Sequence, residues 1–318
     1  MAQPLLVARN LRVEIATPRG TLHAIRGTSF VINPGETYCI VGESGCGKSM
    51  TALSIMGLLP RAASLNADAL TYAGKPLLSA EGLVGDRLAM IFQEPMTALN
   101  PIFRIGDQLT EAYRRHKHAT KAEAEKRALF LLDKVGIANP AQRLSQYPHQ
   151  LSGGLRQRVM IAMALMSGPD LLIADEPTTA LDVTIQAQIL RLLADLRTEF
   201  NVALLLITHD LGLVARIADR VAVMSAGEIV EEATATELFA KPRHPYTRGL
   251  MACIPVPGRT APGAPLGSIP GVVPSLIGDI RGCAFRDRCP LAGDDCAGDI
   301  PEVTSGTHRW RCLRESAA

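Results

Sequence analysis

An α/β fold built around a parallel sheet is predicted by three features of the sequence. Two runs, Leu171-Leu172-Ile173-Ala174 and Val202-Ala203-Leu204-Leu205-Leu206-Ile207, are apolar without interruption, the pattern of strands buried on both faces. A third run, Thr37-Tyr38-Cys39-Ile40-Val41, leads straight into the glycine loop Gly42-Glu43-Ser44-Gly45-Cys46-Gly47-Lys48-Ser49, and residues 50–59 then read as a helix. Aromatic residues are only 4% of the 318-residue chain, so Ala, Leu, Ile and Val must carry the core, as suits helices packed on a parallel sheet.

The remaining elements follow from local pattern. Residues 7–15 and 27–32 read as short strands around a loop with Pro18 and Gly20, and residues 87–92 as a strand ending at Gln93. Residues 100–150 turn polar and helical, with 121–135 amphipathic, and read as a helical insertion. A helix over 184–200 separates the two central strands. Residues 221–224 and 228–231, split by Ala226-Gly227, read as a terminal hairpin. Six Pro and five Gly between Ile254 and Gly278 mark a loop or linker, and four of the seven cysteines lie beyond it.

Composition excludes several classes. Lys plus Arg number 33 and Asp plus Glu 31, a formal charge of +2, and no basic tract or basic aromatic patch argues for a nucleic-acid partner. The opening Met-Ala-Gln-Pro-Leu-Leu lacks the layout of a signal peptide, and the longest uncharged apolar stretch, 159–166, is far short of a membrane span. The expected place is the cytosol, or a membrane surface reached through a partner. Cysteines in such a chain are not read as disulfides by default.

The chemistry starts at the glycine loop. It fits G-x-x-x-x-G-K-[ST], in which Gly42, Gly45 and Gly47 let successive N–H groups face one anion. Lys48 can reach the β- and γ-phosphates, and Ser49 can ligate Mg²⁺. Asp175-Glu176 ends a central strand; Asp175 can hold the Mg²⁺ shell and Glu176 can deprotonate a water for in-line attack. The alternative is an acidic pair capping the next turn. His209 ends the other central strand, where it can fix Glu176 and the water or simply serve the helix after Asp210. Gln93 can coordinate Mg²⁺ or the attacking water, or be an ordinary surface residue at a turn.

A second cradle sits about a hundred residues on. Ser152 can cap a helix over 155–166, Gly153 and Gly154 leave N–H groups open to an anion, and Arg156 and Arg158 add charge. The plain alternative is a helix start after a loop. One nucleotide needs one such cradle from its own chain, so the spare one suggests a site completed by a second molecule.

In order, the loop, Gln93, Leu151-Ser152-Gly153-Gly154, Asp175-Glu176, Ala180-Leu181-Asp182 and His209 resemble the ATP-binding subunit of an ABC transporter, over about residues 5–240. The resemblance implies a P-loop NTPase (RecA-like) cassette with a helical subdomain at about 100–165, inside a domain spanning 1–240. It implies ATP held by Gly42 to Ser49 and Met50, by Ser152, Gly153 and Gly154 of a second cassette packed head to tail, and by a loop containing Asp182. Catalysis would fall to Glu176, His209 and Gln93, with Mg²⁺ on Ser49, Gln93 and Asp175. The fifth signature position is Leu155, where most of the superfamily has Gln. No adenine-stacking aromatic precedes the loop; His23 or Leu22 stands where one is expected.

Beyond residue 240, His244-Pro245-Tyr246-Thr247-Arg248-Gly249-Leu250, Gly271-Val272-Val273-Pro274 and the cysteines are similar to the C-terminal extension (241–318) of peptide/nickel permease ATPases, dipeptide permeases above all. Phe92 to Pro101 is also similar to that subgroup. The resemblance implies a paralogous ATPase subunit as heterodimer partner, two transmembrane permease subunits, an external peptide-binding protein, and a place on the cytoplasmic face of the bacterial inner membrane. Cys283, Cys289, Cys296 and Cys312, spaced x5, x6 and x15, do not form the C-x-x-C pair of most zinc sites. They are open to a structural [4Fe–4S] cluster, as some relatives hold, to zinc, or to free thiols or a disulfide. Cys39, Cys46 and Cys253 read as packing residues. The rival functions are a nickel or other small-solute importer ATPase, a non-transport ABC ATPase, and a redox-sensing module working through the cysteine tail.

Overall fold

The computed structural model describes residues 3–77, 82–94, 98–179, 181–254 and 267–314. Pro95, Met96, Thr97 and Ala180 of the family motifs, and residues 255–266 of the Pro/Gly-rich stretch, lie outside the described residues. In chain order the strands are β1 (Leu6–Thr17), β2 (Gly20–Ile32), β3 (Thr37–Val41), β4 (Ala63–Asn66), β5 (Ala69–Tyr72), β6 (Lys75–Pro76), β7 (Leu88–Ile91), β8 (Leu171–Asp175), β9 (Ala203–Thr208), β10 (Arg220–Ser225), β11 (Glu228–Thr234), β12 (Val303–Ser305) and β13 (His308–Trp310). The helices are α1 (Lys48–Met56), α2 (Ile105–Lys117), α3 (Lys121–Lys134), α4 (Pro140–Leu144), α5 (Gly153–Ala164), α6 (Val183–Phe200), α7 (Leu211–Ile217), α8 (Ala235–Ala240) and α9 (Pro245–Ala252). Among the described residues no helix is long and apolar enough to cross a membrane.

The chain forms two compact units. The first comprises Met1–Leu5, Ile32–Thr37 and Lys75–Ile207. Its centre is a parallel ladder: Leu88 to Ile91 of β7 pair Leu171 to Ala174 of β8, and Leu171 to Asp175 pair Ala203 to Ile207 of β9. Every residue of β8 and β9 is buried, which is why both read as unbroken apolar runs. The segment expected to be helical carries α2, α3 and α4. A capping box starts α3, with Thr120 accepting from the Glu123 N–H and Glu123 reaching back to Thr120. Arg127 of α3 donates to the carbonyls of Leu165 and Met166 just past α5, tying the helices together.

The second unit comprises Leu6–Val31, Tyr38–Gly74 and Thr208–Ala318. In it β1 pairs antiparallel with β4 along its second half and with β5 along its first. β3 pairs parallel with β10, and β10 turns into β11 through Ala226 and Gly227, both at positive φ, the geometry of a tight hairpin turn. This hairpin is not terminal, contrary to the sequence expectation. β13 adds to the free edge of β11 (Glu231 opposite Trp310), and β12 adds to β13. Strands of three residues with mostly polar side chains carry no periodic signal, so tertiary context alone reveals them.

Two carboxylates weld that tail to the sheet. Glu231 and Glu232 are each 1% exposed. Glu231 accepts from the backbone N–H groups of Arg243 (2.5 Å) and His244 (2.9 Å) and lies 2.7 Å from His308 Nε2. Glu232 accepts from the Tyr38 hydroxyl at 2.8 Å and pairs with Arg220 and Arg309. Burial pushes the Tyr38 phenol pKa well up, so it stays a donor. Removing one member of a buried ion network costs about 3–5 kcal/mol. Arg220 and Arg309 are 26% and 22% exposed, so water relieves part of the loss. Glu232→Ala is therefore expected to destabilise the chain by about 3 kcal/mol in urea denaturation; a loss below about 1 kcal/mol would show the network to be ornamental.

Candidate functional site

The glycine loop belongs to the second unit, between buried β3 and α1. Its glycines divide by what they meet. A Cβ on Gly42 would stand 2.2 Å from the Met224 carbonyl, and one on Gly47 (φ +108°) 2.5 Å from the Ala24 carbonyl. Both are required by close backbone approach. Gly45 (φ +77°) would meet nothing within 4 Å, so its side of the loop is open. Ser44 and Gly45 are exposed, while Cys46 is buried and burial raises its thiol pKa. The Gly227 N–H donates to the Cys46 carbonyl, pinning the loop to the β10–β11 turn.

Lys48 is 4% exposed. Its ammonium donates to the carbonyls of Gly42 (2.9 Å) and Glu43 (3.0 Å). The cation is thus held over the mouth of its own loop, where backbone N–H groups of a helix start offer anion contacts. Ser49 is half-buried in the first turn of α1, and Met50 follows it. In the same unit His209 is exposed, and Asp210 rather than His209 caps α7, accepting from the Leu213 N–H at 3.1 Å. His23, one of the two residues standing where an adenine cover is expected, lies 3.2 Å from Glu14, and Leu22 bridges to Ile277.

In the first unit, the parallel register brings the ends of β7 and β8 to one edge. Asp175 there is 5% exposed. Glu176 follows at φ +44°, a conformation that L side chains rarely take, and its N–H donates to the Ile207 carbonyl at 2.9 Å. Its carboxylate accepts from Thr179 Oγ1 at 3.0 Å and lies 3.4 Å from Gln93 Nε2. The sequence named Gln93 and Glu176 separately; the fold joins them. Strain at a turn that aims one carboxylate off a sheet edge is the kind stored at working sites.

The second cradle opens α5 in that unit. Ser152 caps the helix, accepting from the Leu155 N–H at 3.4 Å. A Cβ on Gly153 would make only an ordinary 3.6 Å contact with Leu181, so packing within the chain does not demand glycine there. The two arginines flanking it are engaged with the backbone. Arg156 Nε donates to the carbonyls of Pro148 and Leu151, and Arg158 to that of Val135. Asp182 caps α6, accepting from the Ile185 N–H at 3.0 Å.

The cysteine tail stands differently from its expectation. Cys283, Cys289, Cys296 and Cys312 line one small apolar cavity, together with His244 and Phe285. Burial raises the thiol pKa of Cys283 and Cys312. Among the described residues, however, no group of three or more His, Cys, Asp or Glu is arranged to hold a metal ion. The arrangement of the described residues therefore does not support the expected [4Fe–4S] cluster. Cys39 and Cys46 are buried packing residues, and the Cys253 thiol donates to the Gly249 carbonyl.

Sequence reasoning missed what surrounds Glu43. Its carboxylate pairs with Arg288 through two 2.7 Å bonds, and its N–H donates to the Tyr246 hydroxyl at 3.0 Å. Tyr246 stands in a motif the sequence singled out, but nothing local ties it to a loop 203 residues away.

The family description "ABC transporter" matches residues 25–179, and "Oligopeptide/dipeptide transporter, C-terminal region" matches residues 230–296. The chain is 51% identical to the dipeptide transport ATP-binding protein DppD of Bacillus subtilis, over 98% of this chain and 94% of that one. It is 48% identical to the oligopeptide transport ATP-binding protein OppD of Salmonella typhimurium, over 94% of this chain and 90% of that one. Among solved structures it is similar to the ATP-binding cassette MJ0796, a dimer in a post-hydrolysis state with ADP and Pi. There the TM-score is 0.62 at 26% identity, over 72% of this chain and 98% of that one.

Proposed function

This chain belongs to the ATP-binding proteins of ABC transporters and is an ATPase of that family, and from that premise we propose that it powers the import of di- or oligopeptides through a membrane complex. One observation carries the peptide reading. The likeness to peptide-transport ATP-binding proteins runs through nearly the whole chain, including the C-terminal region that matches a family of its own.

The mechanism follows from this chain's residues. Gly42 to Ser49 cradle the phosphates, and Lys48 exchanges its two carbonyl partners for phosphate oxygens. Ser49, Gln93 and Asp175 would hold Mg²⁺; a hydroxyl, an amide and a buried carboxylate are oxygen donors that suit it. Mg²⁺, when bound, neutralises phosphate charge during transfer. Glu176, oriented by Thr179 and Gln93, takes the proton of the attacking water. His209 supports the γ-phosphate and the water. Ser152, Gly153 and Gly154 close on the γ-phosphate bound to a second cassette, with Asp182 in the loop that links the two sites. The lack of any packing demand for glycine at position 153 and the dimer formed by the related MJ0796 cassette support this arrangement.

The second cassette is a paralogous ATPase subunit. Two permease subunits and an external peptide-binding protein complete the importer, with this chain at the cytoplasmic face. The four clustered thiols are read as ligands of a structural iron–sulfur centre, supported by their shared cavity. Iron and acid-labile sulfide in anaerobically purified chain test that reading; their absence removes it. Import is tested by reconstituting the complex in vesicles with its binding protein. Di- or oligopeptide should accelerate ATP hydrolysis and accumulate inside, whereas stimulation by nickel alone would reassign the cargo.

A further inference from the structure

The electrostatics of the phosphate loop contain a contradiction that one distant arginine resolves. Glu43 puts a carboxylate at the second position of a loop that must receive polyanions. Its charge is met by Arg288, side by side, with Nη1 on Oε2 and Nη2 on Oε1, each at 2.7 Å. The Arg288 side chain is 5% exposed, and that of Glu43 26%. The pairing holds the Glu43 carboxyl below its usual range.

Arg288 is itself fixed by residues outside the nucleotide-binding motifs. Its Nε donates to the Pro270 carbonyl at 3.0 Å, and its guanidinium lies over the Phe285 ring at 5.6 Å. Its stem runs against Gly271 (φ +84°), where a Cβ would come within 2.9 Å of Arg288 Cγ. Tyr246, fully buried, packs its ring 5.3 Å from Phe285 and accepts the Glu43 N–H. Three motifs that the ATPase reading leaves idle thus meet at Glu43: the His244–Leu250 stretch through Tyr246, the Gly271–Pro274 stretch through Gly271, and the cysteine segment through Phe285 and Arg288.

We propose that the C-terminal segment is a working part of the nucleotide site, with Arg288 and Tyr246 acting through Glu43 as positioning residues that hold the loop and cancel the charge which would otherwise repel ATP. The Tyr246 hydroxyl turns the Glu43 N–H aside, so the amides left to the phosphates are those after Glu43. The fork gives arginine two parallel bonds, whereas lysine in its place would keep the charge with a single bond. The proposal rests on the ATPase reading.

The test measures Mg²⁺-ATP affinity with a fluorescent nucleotide, on full-length chain. Arg288→Gln should raise Kd about tenfold, a loss of about 1.4 kcal/mol, and the deficit should shrink as salt screens the bare carboxylate. Glu43→Gln/Arg288→Gln should return Kd to within about twofold of the unchanged chain, because no charge is left to cancel. A double variant as weak as the single one would make the contact merely structural and overturn the proposal, as would a single variant with unchanged affinity. Should Arg288→Gln fail to fold, Arg288→Lys decides: it keeps the charge and should stay within about threefold, and a tenfold loss would overturn the charge argument. Absence of ATP binding by the unchanged chain would instead sink the ATPase reading itself.

Discussion

Glu176→Gln is expected to bind Mg²⁺-ATP about as tightly as the unchanged chain while losing turnover by about 10²- to 10⁴-fold, the range of a removed general base. The substitution keeps the side chain's size and its reach to Thr179 Oγ1 and Gln93. It removes only the capacity to take a proton. Because Glu176 sits at φ +44° with its N–H on the Ile207 carbonyl, the backbone, not the carboxylate, fixes where it points. Geometry should therefore survive the change, and kcat should fall with KM nearly constant. Single-turnover kinetics on the purified chain separate the two. Hydrolysis near the unchanged rate would mean that another group activates the water.

Lys48→Ala is expected to fail earlier, at binding. Lys48 is 4% exposed, and its ammonium already holds two carbonyls of its own loop. Charge-assisted bonds to phosphate are worth about 1.5–3 kcal/mol each, so losing two weakens Mg²⁺-ATP by about 10²-fold or more. A thermal shift assay reads this directly. At nucleotide a hundred times its Kd the unchanged chain gains about 2.7 kcal/mol, and the variant should gain no more than about 0.4 kcal/mol at that concentration. Retention of affinity within about threefold would mean that the loop's amides bind the phosphates unaided.

The candidate residues at the ends of β8 and β9 were legible in the sequence because two independent signals coincide there. Uninterrupted apolar runs fix β8 and β9 as buried parallel strands, and the residues that end them, Asp175-Glu176 and His209, fall at the strand ends. The glycine loop reads equally well, since a strand before it and a helix after it are local features. What stayed hidden depends on contacts far apart in sequence. Glu43 and Arg288 are 245 residues apart, and each alone looks like a solvated surface charge. Glu231 reads as the end of a hairpin strand and Glu232 lies just past it, yet both are buried, because Arg220, Arg309, Tyr38 and His308 arrive from elsewhere. Arg156 and Arg158 show the converse case. Charge beside a helix start suggested an anion site, whereas their geometry directs them to backbone carbonyls. Local sequence gives charge but not the direction in which a long side chain extends.

The clamp between two cassettes is tested most directly by a structure of the Glu176→Gln chain with its partner ATPase and Mg²⁺-ATP. The γ-phosphate should lie between Lys48 of one subunit and the helix start of the other, with this chain's Ser152, Gly153 and Gly154 on the nucleotide held by its partner. If that serine-glycine turn faces away from every γ-phosphate while ATP is bound, the two-cassette mechanism is wrong.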